Sequence, residues 1–164
     1  MSEVKPQKWT SAYYNGDFYL IETWSGYRSS QREPTGKQNT LTPEATAVEL
    51  GTAVLDALAH SRFLSLNEIE DFFNPEKGQQ EYLAWIKALI EKHGYKSKRA
   101  LFKNMANCGV RVVDGVMDIT PMRHEKLEGW GREKDDGIEN VVIPADSSPN
   151  AVGEALLLAF SRCE

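Results

Sequence analysis

Two segments of this 164-residue chain repeat one pattern, and the glycine in each limits how they can pack. Residues 51–62 read GTAVLDALAHSR and residues 153–162 read GEALLLAFSR, so both follow the frame Gly-x-Ala-apolar-Leu-x-Ala-apolar. A glycine inside a helix costs about 1 kcal/mol relative to alanine and usually marks the close approach of another backbone. We therefore predict that two helices pack through Gly51 and Gly153 and share one surface of a β-sheet. The repeat indicates architecture rather than catalysis.

The strand signals predict two hairpins. Asn15-Gly16 and Asp114-Gly115 each separate two runs that are rich in β-branched and aromatic residues, which is the strongest short-range hairpin pattern. Further short strands are expected near residues 126–131 and 139–143.

Helices are predicted between and after these hairpins. Thr42 before Pro43 reads as an N-cap with a first-turn proline, and the apolar spacing continues to about His60. A short helix is expected over residues 66–73 and a longer one over residues 78–94, and Ser148 repeats the cap before Pro149.

This order of elements predicts an α+β fold. We expect one mostly antiparallel sheet, made of two hairpins and short strands, with about four helices packed on it. The length suits a single domain spanning residues 1–164, with an ordered core over about residues 11–163. Residues 26–40 are expected to form one long basic loop.

The distribution of charge indicates the kind of partner. The net charge is −5 and the pI is near 5.3, which argues against general binding to nucleic acids or anionic membranes and suits a basic partner. Acidic residues dominate residues 66–81 and residues 121–146, whereas residues 95–111 contain five basic residues and no acid. The surface is therefore expected to be patchy.

Neither the P-loop nor the dinucleotide-binding glycine motif occurs in the sequence. Gly36-Lys37 is followed by Gln38 and has no earlier glycine at P-loop spacing, and no Gly-x-Gly-x-x-Gly is present. The possible metal ligands lie at no ligand spacing; they are His60, His93, His124 and Cys108. We therefore expect neither a metal nor an organic cofactor.

The sequence gives little support for nucleophilic catalysis or for RNA binding. Cys108 and His124 could form a nucleophile pair only if the fold brought them together, and no motif surrounds them. Residues 95–102 combine basic and aromatic side chains as in RNA-binding surfaces, but acidic segments flank them, so a solvated strand edge is the preferred interpretation.

The location is expected to be the cytoplasm. The sequence contains no apolar run near the roughly 18 residues of a membrane span and no secretory signal. Its two cysteines make no disulfide framework, which is compatible with a reducing compartment.

Four segments together resemble one protein family. They are FYLIETW in the first hairpin, LTPEATAVELGTAVLDALAHSRF, GVRVVDGVMDITP, and the closing SSPNAVGEALLLAFSR. With this order, the chain resembles the immunity proteins of bacterial contact-dependent growth inhibition (CDI) systems from about Tyr13 to Arg162. The resemblance implies a protein that is not an enzyme and that binds the C-terminal toxin domain delivered by a neighbouring cell, commonly a nuclease.

The resemblance also implies a partner and a set of candidate contact residues. The partner would be the cognate toxin domain in a one-to-one heterodimer, with no direct contact to nucleic acid or membrane. Because a nuclease holds phosphates with basic groups, the acidic segments are the candidate toxin-binding residues. They are Glu68, Glu70, Asp71, Glu133, Asp135 and Asp136. The alternatives are a small cytoplasmic enzyme with a non-local active site and a structural adaptor, and the genomic neighbourhood of the gene would separate them.

Overall fold

The computed structural model describes residues 4–133 and 135–164. Along these residues, strands and helices follow in the order β1 Lys8–Tyr14, β2 Tyr19–Gly26, β3 Ser30–Arg32, β4 Gln38–Leu41, α1 Ala47–Ala59, α2 Leu66–Phe72, α3 Pro75–His93, α4 Lys98–Phe102, β5 Ala106–Val113, β6 Val116–Pro121, β7 Arg123–Lys126, β8 Gly129–Gly131, β9 Val141–Pro144 and α5 Pro149–Ser161. No helix in this described part is long and apolar enough to cross a membrane.

Seven of the strands form one sheet. Their order is β3-β2-β1-β5-β6-β9, with β4 pairing to the same edge of β2 as β3, and each of these pairings is antiparallel. β7 and β8 form a separate hairpin. This architecture confirms the predicted α+β class.

Both predicted hairpins are present. Gly16 and Gly115 adopt positive φ angles of 94° and 74°, which a glycine reaches without steric cost. Asp114 joins Gly115 in the left-handed region, so β5 and β6 are connected by the two-residue turn that suits the twist of the strands.

Helices α1 and α5 cover one face of the sheet and touch each other backbone to backbone. A Cβ built on Gly51 would lie 1.7 Å from the Pro149 carbonyl oxygen, and one built on Gly153 would lie 1.7 Å from the Ala47 carbonyl oxygen. Both helices bury apolar side chains against β1, β2, β5 and β6. The contact predicted from the repeated glycines is confirmed.

Helices α3 and α4 cover only part of the opposite face. Trp85 and Leu89 of α3 pack with Phe102 of α4 against Tyr13 and Leu20 of the first hairpin. The remainder of this face stays open and carries a groove.

The start of α1 differs from the prediction. Thr42 accepts a hydrogen bond from the backbone of Ala45 in a turn, and the helix begins only at Ala47. Its N-cap is Thr46, which forms a reciprocal capping box with Glu49. The capping box of Thr46 and Glu49 supplies two hydrogen bonds to free backbone N–H groups, whereas Thr42 and Pro43 form no capping box. This difference explains why α1 begins at Ala47 rather than near Pro43.

The basic segment also differs from the prediction. Residues 98–102 form α4 rather than a strand edge, because Ser97 caps the helix by accepting from the Ala100 backbone, and Leu101 and Phe102 are fully buried.

The expected long loop and one expected strand also have more structure than predicted. Residues 26–40 contain β3 and part of β4. The strand expected near residues 126–131 is the β7–β8 hairpin.

Candidate functional site

A groove of about 1170 Å³ opens on the uncovered part of the sheet. Its floor consists of small residues of β1, β5 and β6, among them Ser11, Gly109 and Thr120. Four tryptophans line the groove; they are Trp9 of β1, Trp24 of β2, Trp85 of α3 and Trp130 of β8. The rest of the lining is largely polar and includes both acidic and basic side chains, such as Asp118 and Arg111. A concave site that combines aromatic and charged side chains has the composition of an interface with a partner protein.

A buried ion pair stabilises one wall of the groove. Glu22 is fully buried, and its carboxylate accepts from Arg32 Nε at 2.6 Å and from Trp85 Nε1 at 3.0 Å. The Arg32 guanidinium also lies over the Trp85 ring, 3.5 Å from its centroid. Burial raises the pKa of Glu22, while Arg32 and the indole N–H groups counteract that rise.

A second buried carboxylate fixes the rim near the end of β2. Glu33 accepts from Ser25 Oγ at 3.0 Å and pairs with Arg62, which follows α1. Burial opposes ionisation of Glu33, but the contacts with Arg62 and Ser25 hold its pKa below the usual value. The loop after β3 is therefore tied to the end of α1.

The floor has space for a partner's side chains. Asn107 donates to Ser11 Oγ at 2.9 Å, which satisfies the polar groups at the buried end of the floor. Gly109 pairs with Ser11 on one side and Thr120 on the other, so its neighbours are short. A Cβ at Gly109 would approach only the Met122 methyl group, at 3.5 Å.

The acidic residues of the first segment lie on and beside α2. Glu68 accepts from the Ser65 backbone in a capping box and lies 3.5 Å from Arg62. Asp71 lies 3.4 Å from Lys77, and both side chains are largely exposed. Glu70 is exposed and forms no ion pair with another described residue.

The acidic residues of the second segment have unequal roles. Asp136 accepts from Arg132 Nε at 2.7 Å and from the Ile138 backbone at 2.9 Å, so it is an internal anchor of its turn, and the pair with Arg132 holds its pKa well below the usual range. Asp135 is exposed with φ at 63°, and Glu133 lies 3.4 Å from Arg123. Among these three, Asp135 has no ion-pair partner within residues 4–133 and 135–164.

Each acidic segment adjoins the groove at a different rim. Phe73 and Asn74, which line the groove, directly follow α2. Arg132 donates to Asn140 at 2.9 Å, and Asn140 in turn donates to Asp118 at 2.8 Å on the groove side of β6. No hydrogen bond or ion pair within residues 4–133 and 135–164 joins the two segments.

The structure does not unite the residues considered for catalysis. Cys108 lies 3.5 Å from Cys163, whereas His124 stacks on Trp130 and contacts the Leu127 carbonyl oxygen. His93, at the end of α3, stacks on Phe18 at 3.8 Å, and burial lowers its pKa. The described residues contain no group of three or more His, Cys, Asp or Glu side chains able to hold a metal.

The comparison with known proteins settles the family. A model of the family CdiI, described as CDI immunity protein, matches residues 8–163. The chain belongs to the CdiI family of CDI immunity proteins. This membership confirms the resemblance seen in the sequence and makes the chain a member of a non-enzymatic family, so the interpretation as an enzyme is set aside.

Similar proteins agree over the full length. The chain is 38% identical to the immunity protein CdiI-YPIII of Yersinia pseudotuberculosis serotype O:3 strain YPIII, covering 100% of this chain and 99% of that protein. It is similar to a chain in the structure of a CdiA-CT/CdiI toxin and immunity complex from Yersinia pseudotuberculosis, with a TM-score of 0.90, 39% identity and coverage of 97% and 98%. It is also similar to a protein of unknown function from Neisseria meningitidis, with a TM-score of 0.91, 36% identity and coverage of 100% and 99%.

The groove is the feature that sequence reasoning missed. One signal for it was present: Glu22 interrupts the apolar run FYLIETW, and a charge in a central strand needs a buried partner. Its partner Arg32 lies in the segment interpreted as a loop, so the pair and the wall it stabilises were not predicted.

Proposed function

We propose that this CdiI-family chain binds the C-terminal toxin domain of a CDI system and neutralises it. The observation that carries the proposal is the full-length similarity to a protein crystallised with a CdiA-CT toxin. Neutralisation by binding needs a surface and no catalytic group, and the groove with its two acidic rims supplies such a surface.

The toxin is proposed to dock over the groove, with its apolar or small side chains inside and its basic groups against the acidic rims. The half-buried Trp24 and Trp130 supply rigid apolar area, and tryptophan is among the residues that dominate interface energetics. Exposed carboxylates at Glu70, Asp71 and Asp135 flank this area and would accelerate the approach of a basic partner. Asp136 and Glu68 would contribute indirectly, by holding the shape of their segments.

A nuclease is the proposed class of toxin, because a basic phosphate-binding surface complements the net charge of −5. A one-to-one heterodimer in the cytoplasm is the proposed form, with no direct contact to nucleic acid or membrane. The gene is expected directly downstream of a very large secreted-toxin gene, and its absence there would contradict the proposal.

Filling the groove should abolish protection without unfolding the protein. Gly109→Phe places a ring on the floor at a position whose added Cβ would meet only the flexible Met122 methyl group, and we expect toxin affinity to fall by about 100-fold, or about 2.7 kcal/mol. Affinity is measured by calorimetry with the toxin domain encoded upstream, and protection by survival of cells that express the toxin.

The matched control is Val116→Phe, which adds a ring at a 41% exposed position of β6 outside the groove. Val116→Phe should bind the toxin domain with the affinity of the unaltered chain. Normal binding by Gly109→Phe, with a native circular dichroism spectrum, would place the contact elsewhere. Loss of binding by both variants would show that the contact extends beyond the groove to the β5–β6 turn.

Removing exposed acidic charge should slow toxin binding. Asp135→Asn keeps a residue type that tolerates the left-handed conformation, and Glu70→Gln keeps the side-chain length on α2. Together they should lower the association rate about threefold to tenfold at low salt, with a smaller effect at high salt. Stopped-flow fluorescence at two ionic strengths measures this change.

The control for this change is Lys96→Gln with Lys103→Gln, which removes exposed basic charge. These substitutions should leave the rate of association with the toxin unchanged or increase it. If the lysine variant binds more slowly and the acidic variant does not, the toxin presents an acidic face and the nuclease proposal fails.

A further inference from the structure

Two thiols meet where the end of the chain contacts the sheet. Cys108 lies in the middle of β5 and is fully buried, and Cys163 follows α5 and is half-buried. Their sulfur atoms are 3.5 Å apart, although 55 residues separate them along the chain. Closing this gap to the roughly 2.0 Å of a disulfide needs a shift of about 1.5 Å, which the short segment after Ser161 can absorb.

We propose that Cys163 and Cys108 are a redox-active pair that low-molecular-weight disulfides convert into an intramolecular disulfide. The accessible Cys163 reacts first, and the buried Cys108 then completes the bond. Neither cysteine lines the groove.

The environment assigns different roles to the two sulfurs. Burial raises the pKa of Cys108, so this thiol keeps its proton. The contact with the Cys108 sulfur lowers the pKa of Cys163 to about 7, so Cys163 is the thiol that ionises more readily. The thiolate is the reactive form in exchange with a disulfide.

The exchange balances in two steps. The Cys163 thiolate attacks one sulfur of glutathione disulfide and forms a mixed disulfide, and the first glutathione leaves as a thiolate that takes up a proton. Cys108 then loses its proton and attacks the Cys163 sulfur, which displaces the second glutathione thiolate, and that too is protonated. Two protein thiols are oxidised, and one glutathione disulfide is reduced to two thiols.

The bond would fasten a segment that reaches the groove. Glu164 donates to the Met122 carbonyl oxygen at 3.3 Å and accepts from the His124 backbone at 2.7 Å. Met122 lines the groove, and β7 begins at the next residue. Oxidation would thus lock the end of the chain against the strand that leads into one groove wall, and we expect Tm to rise by roughly 5–10 °C.

The test is to incubate the full chain with glutathione disulfide and to follow intact mass and free thiols. The unaltered chain should lose both thiols and two hydrogen atoms, without forming dimers, and its higher Tm should return to the starting value with a reductant. Cys108→Ala should retain glutathione at Cys163, because no second thiol displaces it. Cys163→Ala should stay unmodified over the same time, since Cys108 is buried.

Three results would overturn the proposal. They are a stable mixed disulfide in the unaltered chain, disulfide-linked dimers in place of the internal bond, and reaction of Cys163→Ala as fast as Cys108→Ala. Should either variant fail to fold, tryptic mapping of the oxidised unaltered chain decides the matter, because a peptide pair joining Cys108 to Cys163 is either present or absent.

Discussion

Replacing Gly51 or Gly153 with alanine is expected to lower the free energy of unfolding by about 2–4 kcal/mol. The added methyl group would lie 1.7 Å from a backbone oxygen of the other helix, and a backbone atom cannot rotate away as a side chain can. Relief requires α1 and α5 to move apart, which also loosens their packing on β1, β2, β5 and β6. Urea unfolding followed by circular dichroism measures the loss.

The chain contains a matched control in α3. Gly78 is also helical, but a Cβ there would have as its nearest neighbour only the Gln31 side-chain oxygen, at 4.0 Å. Gly78→Ala should therefore stabilise the protein by about 0.5–1 kcal/mol, the ordinary preference of a helix for alanine. If Gly51→Ala behaved like Gly78→Ala, the two helices would lie farther apart than in this structure.

Removing the cation from the buried ion pair is expected to cost about 3–5 kcal/mol. Arg32→Met leaves the fully buried Glu22 carboxylate with only N–H donors, while methionine can still pack on Trp85. The cost should depend on pH. Burial raises the pKa of Glu22 in the folded state, and Arg32 opposes this rise. Without Arg32, folding favours the neutral acid of Glu22 over its carboxylate, so the variant should lose more stability at pH 8 than at pH 5.

Two comparisons isolate this effect. The double variant Arg32→Met with Glu22→Gln buries no charge and should recover much of the lost stability, as a double-mutant cycle would show. Lys77→Met removes the cation of the exposed pair with Asp71 and should change stability by less than about 1 kcal/mol. A pH-independent cost for Arg32→Met, equal to that of Lys77→Met, would contradict the buried-pair interpretation.

The fold was predictable from the sequence where a local pattern is compatible with only one structure. The hairpins at Asn15-Gly16 and Asp114-Gly115 required positive φ angles that few other residue pairs adopt. The glycines of α1 and α5 predicted their contact because glycine inside a helix is costly without one. In these cases local conformation and tertiary packing agreed.

The predictions failed where several local patterns competed. Thr42 and Thr46 both precede helix-compatible residues, and the reciprocal bonds with Glu49 favoured the second. The segment with β3 and β4 carries Gly36 and Pro34, typical of a loop, but β2 supplies hydrogen-bonding partners that no local pattern reveals. The family was predictable from whole segments, whereas the groove depended on long-range contacts such as Glu22 with Arg32.

The sheet separates two kinds of surface that can change independently. One face carries the α1–α5 contact, where even a methyl group is excluded, and the other carries the groove around Gly109, whose short neighbours tolerate larger side chains. Side chains on the two faces point away from each other, and substitutions that share no packing partner usually act additively. A lineage could therefore acquire protection against a different partner by altering residues such as Arg111 and Thr120, with no compensating change in the helices behind them.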